Sequence, residues 1–165
     1  MAEPVIDCRL AAAPFDAAAL LAELQQRAGD DGANPGAVAS FAGIARGRDA
    51  QGERLTALDL QAHDRLTLPS MQAIARDTSE RFEPSHLLVI HRHGRILPGE
   101  AIVLVAAVAS HRRAALLAVD YAMDRLKTEA VFWKREVGPG GSRWIEPTQA
   151  DRAAAANWDN DRGTG

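Results

Sequence analysis

Two lysines stand out in a chain that otherwise uses arginine wherever it wants positive charge. Of 19 basic residues only Lys127 and Lys134 are lysine, and they lie seven positions apart. An amine differs from a guanidinium in that burial lowers its pKa readily, so it can transfer protons or attack carbon. Just upstream, Ser110 is followed by His111, Arg112 and Arg113 at the start of a helix-forming run. A hydroxyl cap, free backbone N–H groups, imidazole and guanidinium together suit an anion. Positive charge at the positive end of a helix opposes the dipole, which is a reason to expect an anionic ligand there. Arg46 and Arg48 sit on a glycine-flanked connection after Phe41-Ala42-Gly43, where guanidinium forks suit phosphate oxygens and a solvated loop is the plainer reading. Phe132-Trp133 lies between the lysines as a core anchor, with apolar walls that would lower an amine pKa. Glu136 is placed to orient Lys134 or to pair with Arg135.

Other residues carry less. His91 and His93 alternate as strand residues that share a side, but lack a nearby third ligand, and read as structural histidines rather than a zinc pair. Cys8 is the single cysteine, which rules out an internal disulfide or a cysteine-rich metal site and fits a reducing, cytoplasmic setting; it reads as structural on an edge strand.

The elements that must hold these groups follow from pattern. Ser110–Lys127 reads as one amphipathic helix with Ala115, Val119, Ala122, Met123 and Leu126 on its apolar stripe. Ala101–Ala109, almost wholly apolar, predicts a central strand that delivers the chain into Ser110. Strands are also expected over Val5–Leu10, Ala37–Gly43, Leu55–Gln61, His86–His93 and Arg143–Ile145. Helices are expected from Asp16, as cap, to Gly29, as stop, and over Leu68–Phe82, with a last helical turn in Asp151–Trp158. Gly94–Glu100 and Gly138–Gly141 read as turns, and Asp159–Gly165 as a disordered tail behind a single domain over 1–158. Strands and helices mix without regular βαβ alternation, which predicts an α+β fold. At 165 residues with 47% hydrophobic and 25% charged residues the chain has enough for one real core. A formal charge of −3 argues against general nucleic-acid binding, so any phosphate affinity must be local. No apolar run approaches the ~20 residues that span a bilayer, and the N-terminus lacks a signal-peptide pattern, so no membrane association is expected.

The blocks SHR at 110–112, LKT at 126–128, FWKRE at 132–136 and VIHRHGRILPGE at 89–100, in this order and spacing, resemble the large (catalytic) subunit family of molybdopterin synthase. The similarity runs from about Phe41 to Trp158. It implies a hammerhead-like α/β fold with a small antiparallel β subdomain. The implied activity converts cyclic pyranopterin monophosphate to molybdopterin, with two sulfurs supplied by the thiocarboxylated C-terminus of a small ubiquitin-like partner. The sulfur nucleophile would then arrive with the partner, and neither cofactor nor metal is called for. By the same resemblance Arg46, His111 and Arg112 would hold the substrate phosphate. Lys127 and Lys134 would be catalytic, by proton transfer or electrostatic stabilisation. Ile44, Ala45, Arg135 and Glu136 would line the substrate pocket, with Phe41 in its wall. The family pattern differs at two places. Gln61-Ala62-His63-Asp64-Arg65-Leu66 stands where a Glu-His-Tyr-Pro-Gly-Met block is usual, and Val131 stands where a proline is usual. A non-catalytic homologue that binds the partner tail, and an unrelated phosphate-ester enzyme using His111, are the alternatives.

A single continuous helix from Ser110 to Lys127 would set His111 and Lys127 sixteen residues apart, or ~24 Å. The resemblance puts both residues in contact with one small pterin, which cannot touch both ends. Either the helix breaks near Asp124 or the two residues belong to different copies. The regular stripe through Leu126 favours a two-fold homodimer in which each site draws on both chains, and the resemblance implies that this dimer is the core of a heterotetramer.

Overall fold

In a computed structural model that describes residues 3–160, four helices and eight strands form two sheets. The first sheet has strand order β1-β4-β6-β2, with β1 Val5–Ala11, β4 His86–Arg92, β6 Ala101–Ala109 and β2 Ala37–Ile44. Its β1–β4 pair is parallel and the rest antiparallel. The second sheet, order β5-β3-β7-β8, is antiparallel throughout: β5 Gly94–Ile96, β3 Ala57–Ala62, β7 Phe132–Gly138 and β8 Gly141–Ile145. This is the expected α+β arrangement with a small antiparallel sheet.

The apolar run of β6 is central and buried on both faces, as predicted. One face meets α1 (Ala17–Asp30), where Leu24 and Ala28 pack on Leu88, Leu104 and Val108. The other meets α2 (Thr67–Phe82) and α3 (Arg112–Glu129), through Met71, Ala75, Ala115, Ala118, Val119, Ala122 and Leu126. Small residues on α3 bring its backbone close to β2 and β6, whose facing positions are themselves Ala39, Ala107 and Val105. At about 25 cal/mol per Å² of apolar surface, this two-sided burial is the main term that holds the molecule together.

Several boundaries differ from the sequence reading, each for a local reason. Ser110 does not cap α3; His111 is the N-cap, in extended conformation and without a side-chain hydrogen bond. Asp16 does cap α1, accepting from the Ala18 and Ala19 N–H groups, but the helix passes Gly29 and ends at Asp30, with Asp31 as its C-cap. The segment expected as a plain turn over Gly94–Glu100 includes β5, because Gly94 and Arg95 pair with Leu60 and Asp59. The β4 strand stops at Arg92, and Gly94 adopts φ +84°, turning the chain into the second sheet. A full helix, α4 (Gln149–Asn160), replaces the single last turn and takes in Asp159 and Asn160 from the expected tail; residues 161–165 lie outside the described residues.

Candidate functional site

The two lysines reach the same place from different elements. The β7 register sets Lys134 between Leu60 of β3 and Ile145 of β8. Strand alternation puts its stem on the side of Leu58, Leu60 and Ile96, which with Ala45 form a separate apolar cluster. Burial there pushes the Lys134 ammonium down from its ordinary 10.5; Glu136 opposes this, Lys127 and Arg46 add to it, and Asp151 opposes it again. Those four charged groups are therefore its electrostatic neighbours. Lys127 arrives from the last turn of α3 with its side chain 54% exposed, its Nζ 3.1 Å from Asp151 Oδ1.

Arg46 is brought in by the end of β2. The Ala45 N–H donates to the Glu100 carbonyl at 2.9 Å, and the Gly99 N–H donates back to the Ala45 carbonyl at 2.9 Å. The Glu100 carboxylate accepts from the Leu97 N–H at 2.8 Å and lies 3.6 Å from the buried Arg92 guanidinium. Ala45 is buried by this stitching, while Ile44 and Arg46 on either side stay exposed. Arg48 turns away, donating to the Gly52 carbonyl at 2.8 Å.

The junction between α3 and β7 fixes the spacing of the two lysines. The Val131 N–H donates to Ser70 Oγ at 3.1 Å, and its carbonyl accepts from the Thr67 hydroxyl. A proline there could not donate; in this chain hydrogen bonds from the start of α2 hold the turn that a proline ring would otherwise stiffen. In the 61–66 segment Gln61 and Ala62 end β3 and 63–66 form a compact turn, with the His63 N–H donating to Thr67 Oγ1 at 2.7 Å and Leu66 exposed.

Strand alternation divides the FWKRE block. Phe132, Lys134 and Glu136 share one face of β7, and Trp133 and Arg135 the other. Phe132 stacks on His91 at 4.2 Å between centroids, close to the packing role expected of it. Trp133 is 50% exposed, so the paired-anchor expectation holds for one aromatic only, and Trp133 does not wall Lys134. Arg135 pairs with Asp59 at 2.8 Å and lies over the Trp144 ring, away from Lys134. Glu136 does not pair with Arg135; it accepts from Arg143 at 3.1 Å and borders a groove between the 49–55 segment and the β7–β8 hairpin.

His111 and Arg112 stand elsewhere. Both are exposed at the N-terminal end of α3, beside the start of β2. The eighteen-residue helix is unbroken, so His111 and Lys127 are ~24 Å apart along it. Arg46 follows the opposite end of the eight-residue β2, likewise ~24 Å away at strand rise. Within one chain the expected anion set is therefore split, with Arg46 beside the lysines and His111 and Arg112 at the far end. Phe41 lies between, 43% exposed on β2.

One site residue, Asp151, is not anticipated from the sequence, and a second, His91, is anticipated there only as structural. Asp151 comes from α4, for which the sequence predicts only a last turn; Thr148 three residues before it is the available signal, since that spacing is a helix-start motif. His91, stacked on Phe132, feels the Lys134 charge, its Nδ1–H donating to the Arg92 carbonyl at 2.8 Å. Burial lowers its pKa to about 4, with the carbonyl hydrogen bond opposing and the Lys134 charge reinforcing the shift. It is the neutral structural histidine expected. Among the described residues no cluster of three or more His, Cys, Asp or Glu could hold a metal ion.

Most of the chain has counterparts. A family model described as MoaE protein matches residues 10–129. A molybdopterin synthase catalytic subunit from Caulobacter vibrioides is 48% identical over 126 residues, covering 76% of this chain and 82% of the relative. One from Mesorhizobium japonicum is 44% identical over 146 residues, 87% of each chain. A solved structure, the molybdopterin biosynthesis MoaE protein from Burkholderia ambifaria, superposes with a TM-score of 0.74 at 36% identity, covering 94% of this chain and 98% of its own.

Proposed function

Because the chain belongs to the MoaE family, matched over 120 of its residues (10–129), we propose that it is the catalytic subunit of a molybdopterin synthase. It takes cyclic pyranopterin monophosphate as substrate and receives two sulfurs from the thiocarboxylated C-terminus of a small ubiquitin-like partner, in the cytoplasm. The observation that supports this reading is that Lys127 and Arg46, carried by two other elements, both act electrostatically on the half-buried Lys134 ammonium. A thiocarboxylate tail and a phosphate are both anions, and the site offers two amines and a guanidinium.

The division of labour follows from the environments. Lys134, held on an apolar floor, is the amine whose proton is most readily given up, which suits it to proton transfer as carbon–sulfur bonds form. Lys127, more exposed, meets the incoming tail and stabilises charge on it. Arg46 holds the phosphate, with Ile44 and Ala45 beside it and Phe41 in the wall. His111 and Arg112 complete the anion site from a second copy of the chain, while Glu136 of the same chain lines the pocket on the Lys134 face of β7 and Arg135 faces away from it. The sulfur comes from outside: Cys8 lies on the edge strand β1, and burial followed by the Asp7 charge raises its thiol to about 11, far from a reactive thiolate. No described helix is long and apolar enough to cross a membrane.

The test is reconstitution. Purified protein is mixed with the pyranopterin and a thiocarboxylated partner, and molybdopterin is measured. Turnover is expected; a stable complex without product would instead identify a non-catalytic tail-binding homologue.

A further inference from the structure

We propose that Asp151, at the start of α4, is a positioning residue that fixes the Lys127 amine at the basic site; this rests on the synthase reading above. The two oxygens of its carboxylate have separate partners. Oδ2 accepts from the Thr148 N–H at 2.9 Å and from the Thr148 hydroxyl at 2.8 Å, and the Asp151 N–H donates back to the Thr148 hydroxyl at 3.1 Å. Oδ1 is left to accept from Lys127 Nζ at 3.1 Å. The cap thus aims the second oxygen at the lysine before any ligand arrives.

The helix that carries Asp151 is itself held at its other end. Trp158 Nε1 donates to Asp124 at 2.7 Å, and Arg81 donates to the Trp158 carbonyl at 3.0 Å. The Trp158 ring stands edge-on to Tyr121 and Phe82. With the Trp158 end of α4 anchored against α2 and α3, and Oδ2 tied to Thr148, the carboxylate is the better-held partner and the four-carbon lysine stem the more mobile one. An ion pair to a half-exposed lysine adds little to stability. Its worth is orientational, since a catalytic amine gains rate by being held in the reacting geometry. The carboxyl stays ionised throughout the neutral range: burial pushes it up, but the Thr148 hydrogen bonds and Lys127 bring it down to about 2.

Two substitutions separate positioning from helix capping. Asp151→Asn keeps an oxygen for the Thr148 cap and removes the charge that holds Lys127; Thr148→Val weakens the cap and leaves the Lys127 contact. Each is studied as the full chain with its thiocarboxylated partner, and Lys127 reactivity toward an acylating reagent is read by mass spectrometry without substrate. Asp151→Asn is expected to lower kcat about tenfold, to leave KM for the pterin near wild type, and to raise Lys127 labelling several-fold. The groups facing the lysine pair are Arg46, Glu136, His91 and Asp151. Loss of one negative charge should therefore move the pH–rate limb set by Lys134 to lower pH, whichever protonation state is active. Thr148→Val loses the hydroxyl but keeps the backbone N–H on Oδ2, so it should lower the Tm yet keep most of kcat and near wild-type labelling. The proposal is overturned if Asp151→Asn leaves labelling and kcat unchanged, or if both variants lose kcat in proportion to lost Tm. Absence of turnover in the wild-type protein would sink the synthase reading alone, because the labelling still decides whether Asp151 holds Lys127.

Discussion

At the scale of single residues, the choice between lysine and arginine is the most informative feature. Lys127→Arg retains the charge and can still reach Asp151, but offers a planar fork in place of an amine. The variant should be nearly as inactive as Lys127→Ala, with an unchanged Tm because the side chain is half exposed; normal steady-state kinetics would show that charge alone suffices. His91 makes a separate prediction about acid. Its imidazole stays neutral in the fold down to about 4, whereas in the unfolded chain it takes a proton near 6.5. The unfolded state therefore binds more protons between those values, and the stability His91 contributes above 6.5 is lost as pH falls toward 4. The loss should be about 2 kcal/mol after allowing for partial exposure. His91→Phe, which keeps the stack on Phe132, should show a flatter Tm between pH 6.5 and 4. An equal acid slope in both proteins would place the sensitivity elsewhere.

Among the elements, the junction of β2 with α3 sets where the His111 end lies. Gly36 donates its N–H to the Ala109 carbonyl at 3.0 Å, and a Cβ there would overlap the Ser110 carbonyl, which is backbone and cannot step aside. Gly36→Ala should cost more than ~1 kcal/mol. Gly29→Ala, in α1 with no atom near the added carbon, should stabilise by about 0.5–1 kcal/mol. Opposite signs in denaturant melts are expected, and a neutral Gly36→Ala would mean that the junction is loose. The order of elements is legible in the sequence where periodicity is strong: the β6 run and the α3 stripe read directly because each has a dominant burial pattern. Short pieces are not. The three-residue β5 exists only because β3 offers it an edge, and α4 is alanine-rich with few large apolar residues to announce it. The lysine site is legible through the rarity of lysine. Its partners Asp151 and His91 are not, since nothing local in sequence joins residue 91 or 151 to residue 134. The facing of Arg135 is hidden for another reason: adjacent strand residues point to opposite sides, and only the register decides which.

On the scale of the whole molecule, the split of basic groups is the decisive fact. The unbroken α3 keeps His111 and Arg112 ~24 Å from Lys127, and β2 keeps them as far from Arg46. A substrate that needs all of them requires two copies of the chain, related so that the far end of one meets the lysines of the other. Complementation between two inactive chains measures this most directly. His111→Ala and Lys127→Ala proteins are mixed, allowed to exchange subunits and assayed with the thiocarboxylated partner. Shared sites give each mixed dimer one intact site and one doubly altered site, so activity should return to about a quarter of wild type at statistical exchange. If exchange is verified by mass spectrometry and no activity returns, each chain owns its whole site, and the two-chain account is wrong.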